Sequence, residues 1–136
     1  MCSSDLGAFT AALAVAEGQI VDGVGGSAGP LGFRASGGLD GEVAFLAGSV
    51  SKSLLFGGGA AAIAGWDGGP GSPDALGNPR TPREQIALDA FVEGAVKAVR
   101  FLRASVPAPR EIVLSGRLAR VEGVRRAITQ IGRAHV

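Results

Sequence analysis

Histidine, cysteine and methionine are almost missing from this chain, which has one of each at His135, Cys2 and Met1. All three fall in the terminal segments 1–6 (MCSSDL) and 131–136 (IGRAHV), which read as the two strands of a widely used sequencing adapter translated in frame. Both segments are therefore expected to be artefacts that pack poorly, leaving 7–130 as an internal piece of a longer protein. That piece holds no thiolate nucleophile, no imidazole base and no soft metal ligand. Catalysis within it has to use carboxylates, hydroxyls, lysine, arginine or backbone amides. Its cysteine content says nothing about redox compartment.

Long apolar runs and a charge bias are also lacking. No stretch approaches the roughly 20 apolar residues needed to span a bilayer. With 13 Lys and Arg against 12 Asp and Glu, the formal net charge is +1, so no electrostatic footprint calls for nucleic acid or an anionic membrane. The expected compartment is the cytoplasm. Glycine is in excess, at 23 residues, which points to tight turns or to backbone held close to a ligand. A Gly/Ala-rich genome would give the same excess.

Residues 7–24 read as a hairpin: Phe9, Ala11, Leu13 and Val15 alternate, Glu17-Gly18 turns, and Gln19 to Asp22 return. Residues 23–41 (GVGGSAGPLGFRASGGLDG) are too glycine-rich for a regular element and read as a long loop, a form that is usually functional inside a compact domain. A short helix is expected over 39–46 and a strand or helical turn over 50–56, with 57–65 ambiguous and 66–80 an exposed irregular connection. A helix must start at Thr81, where a hydroxyl N-cap, Pro82 and Glu84 make a capping box. Leu88, Phe91, Val92, Ala95, Val99 and Leu102 form its apolar stripe. Residues 111–114 have the form of a buried strand, Ser115-Gly116 breaks it, and a second helix starts near Val121.

Two places resemble nucleotide-binding elements of the ASKHA superfamily, which unites acetate and sugar kinases, heat-shock ATPases and actins. Gly7-Ala8-Phe9-Thr10 opens a hairpin as the second phosphate motif does: glycine admits backbone close to phosphate oxygens, and a hydroxyl adds a donor. A plain structural turn has the same composition. Ile112 to Arg120 (IVLSGRLAR) resembles the adenosine motif, a strand ending in a small-residue turn before a helix, with Arg117 where a second glycine is usual. Arg117 could pair with a phosphate or carboxylate, or simply face solvent. The order of hairpin, loop, long helix and turn matches the second half of such a protein, and most of 7–130 is similar to a family labelled as predicted butyrate kinases.

The resemblance implies an α/β fold: a ribonuclease-H-like (actin-like ATPase) domain with a mixed sheet and flanking helices, present as an incomplete fragment. It implies ATP and Mg2+ as cofactors of the full-length protein and a short-chain, butyrate-like carboxylate as acceptor. Gly7 and Thr10 would contact phosphate, and Ser115, Gly116 and Arg117 would border adenosine. Gly25, Gly26, Ser27, Asp40 and Glu42 would lie along the cleft or substrate loop, although Asp40 and Glu42 also suit a helix N-terminus. No catalytic residue and no metal ligand is assigned. The expected partners are nucleotide, a small-molecule acceptor and the missing N-terminal half, without which the fragment should be inactive; nucleic acid and membrane are not expected. Two alternatives remain: a non-catalytic, nucleotide-binding regulatory relative, or an unrelated Gly-rich α/β binding domain.

Overall fold

The computed structural model describes residues 2–66 and 71–133, with side chains described over 7–66 and 71–130. Four strands, β1 (Cys2–Leu6), β2 (Thr10–Ala16), β3 (Gln19–Val24) and β4 (Ile112–Ser115), form one sheet in the order β3-β2-β1-β4. β1 runs antiparallel to β2 and parallel to β4. The β2–β3 hairpin turns at Glu17 and Gly18, both with positive φ, which matches the right-handed twist of the flanking strands.

The buried face of β2 is not the one its larger residues mark. Thr10, Ala12 and Ala14 are buried, whereas Ala11, Leu13 and Val15 are all half-buried. The reason is close approach: Ala12 and Ala14 cluster with Ala98 and Leu102 of the long helix, where little room is left for a larger side chain.

Residues 2–6, expected to pack poorly, place their backbone at a central position of the sheet, paired on both sides, while the packing of their side chains lies outside what the structure describes. Ladder hydrogen bonds use main-chain groups that every residue but proline carries, so the pairing makes small demands on side-chain identity. Met1 and residues 134–136, expected to be loose, lie outside the described residues.

The described residues also form six α-helices, five between β3 and β4 and one after β4: α1 (Gly41–Ala47), α2 (Lys52–Phe56), α3 (Ala60–Ile63), α4 (Pro73–Leu76), α5 (Pro82–Leu102) and α6 (Glu122–Arg133). α5 starts at the expected capping box, with Thr81 accepting from the Glu84 N–H and Glu84 accepting from the Thr81 N–H. Its Leu88, Phe91, Val92, Ala95 and Leu102 are buried, and Val99 is half-buried. Around Phe91 the main core gathers Leu76, Leu118, Val124 and Ile128.

Two further expectations are corrected. The 66–80 connection is not wholly exposed and irregular: α4 lies within it and Leu76 is fully buried in the core. β4 is an edge strand among the described residues, with Ile112 and Val113 exposed. No described helix is long and apolar enough to cross a membrane.

Candidate functional site

Asp5 of β1 lies opposite Ser115 of β4 on neighbouring parallel strands, about 4.8 Å apart. Each strand then runs into a turn, residues 7–9 after β1 and 116–117 after β4. Both turns leave the sheet at the carboxyl ends of parallel strands, the end where α/β folds bind ligands. An open cleft of about 550 Å³ sits there, and Gly7, Ala8, Phe33, Arg34, Ser72 and Arg117 are among the residues lining it. Two sequence-predicted residues, Gly7 and Arg117, are thus brought to one place.

Arg34 was not singled out from the sequence, and long-range hydrogen bonds put it in the cleft. The Gly7 carbonyl accepts from Phe33 N–H at 3.0 Å, and the Ala8 carbonyl accepts from Arg34 N–H at 3.1 Å and Ala35 N–H at 2.9 Å. On the other side, the N–H groups of Gly59, Ala60 and Ala61, at the start of α3, donate to the carbonyls of Arg34, Gly32 and Phe33 respectively. The segment is clamped between the first turn and α3. Gly32 is needed there because a Cβ would lie 2.2 Å from the Ala8 carbonyl oxygen. The Arg34 guanidinium lies 5.5 Å from the Phe33 ring centroid, and that ring packs against Trp66 at 6.4 Å. Trp66 accordingly covers an apolar patch at the edge of the core.

Gly116 takes φ +86°, a left-handed conformation that glycine adopts freely. It turns the chain so that Arg117 precedes a single 3-10 turn, Leu118–Arg120, anchored by the buried Leu118. Ser115 ends β4 and is half-buried. Neither Arg34 nor Arg117 has a carboxylate within ion-pair distance among the described residues. Among the described residues the cleft therefore carries two positive charges and no carboxylate lining it.

The remaining sequence candidates lie elsewhere. Thr10 is fully buried, and its hydroxyl donates to the Leu31 carbonyl at 3.0 Å, tying the loop to β2. Gly25 packs on β2, where a Cβ would come within 2.6 Å of Ala11 Cβ, and Gly26 and Ser27 form a 3-10 turn beside it. Asp40 is the N-cap of α1, accepting from the Glu42 and Val43 N–H groups at 2.8 and 3.2 Å, with Glu42 in the first turn. None of these residues lines the cleft. Among the described residues no cluster of His, Cys, Asp and Glu could hold a metal ion.

The pattern of a protein family described as "Protein of unknown function (DUF1464)" matches residues 5–135. The chain belongs to this family. No curated protein sequence matches it. Among solved structures, the chain is similar to acetate kinase from Entamoeba histolytica, with a TM-score of 0.77 and 17% identity over 96% of this chain and 38% of that one. It is also similar to Porphyromonas gingivalis acetate kinase (0.72, 18%, 93% and 35%) and to a propionate kinase from Francisella tularensis subsp. tularensis SCHU S4 (0.68, 17%, 95% and 36%). The chain thus spans little more than a third of the length of these relatives. Its fold is ribonuclease-H-like α/β, the fold it shares with these acetate and propionate kinase structures.

Proposed function

We propose that the chain is the nucleotide-binding portion of an ATP-dependent small-molecule kinase whose acceptor is a short-chain, butyrate-like carboxylate. The observation that carries this reading is that the Gly7 turn and the Gly116-Arg117 turn, distant in sequence, open on one cleft together with Arg34. One extended ligand can reach both. Gly7 leaves room for phosphate oxygens against the backbone, while Arg34 and Arg117 supply forked donors that match phosphate geometry. Phosphoryl transfer depends chiefly on such positioning and on charge stabilisation.

Magnesium is not provided for by the described lining: its hard-oxygen ligands are usually carboxylates, and none of the described residues lining the cleft is acidic. A carboxylate for the metal and the acceptor belongs to the portion of the protein outside this chain, so the chain alone is expected to bind ATP without transferring its phosphate. We place the full-length protein in the cytoplasm.

Calorimetric titration of the chain with ATP tests the binding half of the proposal, and absence of detectable binding at millimolar ligand would defeat it. With the full-length protein, butyrate and ATP should yield an acyl phosphate that hydroxylamine traps as a hydroxamate. Nucleotide binding without acyl phosphate from butyrate, propionate or acetate would instead support a non-catalytic, regulatory nucleotide-binding role.

A further inference from the structure

The two guanidiniums on the cleft are held by different parts of the chain, and each is fixed at its backbone. Arg34 is bonded through its N–H to Ala8 and through its carbonyl to Gly59. Arg117 is set between the left-handed Gly116 and the buried Leu118. With the main chain already fixed, a ligand that draws in the two side chains has no backbone to order, which favours affinity. The other described lining residues are Gly7, Ala8, Phe33, Gly71, Ser72, Pro73 and Leu118, all uncharged. Within that set Ser72 is the one uncharged polar side chain. Among the described lining residues a heterocyclic base would find few side-chain partners for its polar edge, whereas an oligophosphate would meet two cations that no described carboxylate pairs.

Resting on the cleft of the proposed function, we infer that this site recognises its ligand by a phosphoanhydride chain bridging Arg34 and Arg117, with little discrimination by the base. The ligand class is accordingly broad: ATP, GTP and a bare inorganic oligophosphate share the group that is read. Selectivity for ATP, if the full-length protein shows it, must then arise outside this cleft.

The test is a competition series on the whole chain with ATP, GTP, inorganic triphosphate and adenosine, repeated with Arg34→Gln, Arg117→Gln and Arg100→Gln. Arg100 is exposed on α5 and outside the cleft, so its variant controls for loss of one surface charge. ATP, GTP and triphosphate should bind within about threefold of one another, with adenosine far weaker. Each cleft variant should weaken triphosphate by about ten- to a hundredfold, the range for a hydrogen bond to a charged group, while Arg100→Gln changes it less than about twofold, as expected for a screened surface charge. Arg117 is exposed, so its variant should fold normally, and thermal melting checks this.

Adenosine competing as well as ATP, or triphosphate affinity unchanged in Arg117→Gln, would overturn the inference while leaving the ATP site standing. An equal loss in Arg100→Gln would reduce the effect to general charge attraction and also overturn it. No binding of ATP or triphosphate would remove both the inference and the function on which it rests.

Discussion

The Thr10 hydroxyl donates to the Leu31 carbonyl at 3.0 Å from a fully buried position, fastening the glycine-rich loop onto the second strand. This gives Thr10 a structural task, where its place after a glycine turn had suggested contact with phosphate. Thr10→Val keeps the shape and removes the donor. It is expected to cost about 1 kcal/mol, the net contribution of a hydrogen bond whose acceptor is only part-buried, read as a lower urea midpoint. Triphosphate affinity measured on the folded protein should stay near the parent value; a large loss of affinity without loss of stability would return Thr10 to the binding site.

Gly32 and Gly123 separate stability from binding. A Cβ at Gly32 would strike the Ala8 carbonyl oxygen at 2.2 Å, within the lattice that places Arg34; a Cβ at Gly123 would meet the Gly77 carbonyl oxygen at 1.8 Å, where α6 meets the end of α4. Both alanine variants should be destabilised by about 1–3 kcal/mol, as overpacked sites are. Only Gly32→Ala should also weaken oligophosphate binding in the population that remains folded. Equal affinities in the two variants would show that the backbone clamp does not position Arg34.

Asp22 links β3 to the chain beyond α5, accepting from the Ser105 hydroxyl and from the Gly23 N–H. The Ser105 bond first, and the Gly23 bond second, hold the Asp22 carboxyl below its ordinary pKa. A carboxylate with a depressed folded-state pKa contributes stability above its unfolded pKa, and that contribution fades as pH falls through the lower folded value. Ser105→Ala should therefore melt below the parent at neutral pH, with the gap closing under acid conditions below the usual aspartate range. A gap that is constant with pH would mean that the lost stability comes from packing at Ser105 and not from the carboxylate.

What was legible in the sequence was mostly local. The Thr81 cap, the α5 stripe and the Glu17-Gly18 hairpin depend on residues a few positions apart, and all appear where their spacing puts them. Asp40 also took the helix-capping role that its neighbours allowed. Arg34 was not legible, because its place depends on main-chain bonds to residues 7 and 8 and to the start of α3, none of which leaves a side-chain pattern. The apolar run at Ile112 and Val113 could not reveal that β4 is an edge, since that depends on which strands lie beside it. In β2 the larger residues misdirected the reading, because the tight fit against Ala98 and Leu102 selects small side chains for the buried face.

Gly116 tests whether backbone geometry at the second turn serves the cleft. At φ +86° a β-branched residue is strained, whereas asparagine enters left-handed conformations more readily. Gly116→Val should cost about 1–3 kcal/mol in stability and, by shifting the residue that follows, carry the Arg117 guanidinium out of line with Arg34. Oligophosphate affinity should then drop toward that of Arg117→Gln, and combining the two substitutions should add little further loss, because both remove the same contact. Gly116→Asn should lie close to the parent in both stability and affinity. If Gly116→Val and Gly116→Asn weakened binding equally, bulk beside the cleft and not the turn conformation would be the cause. If neither altered affinity, the second turn would have no part in binding, even though it leaves the same end of the sheet as the first.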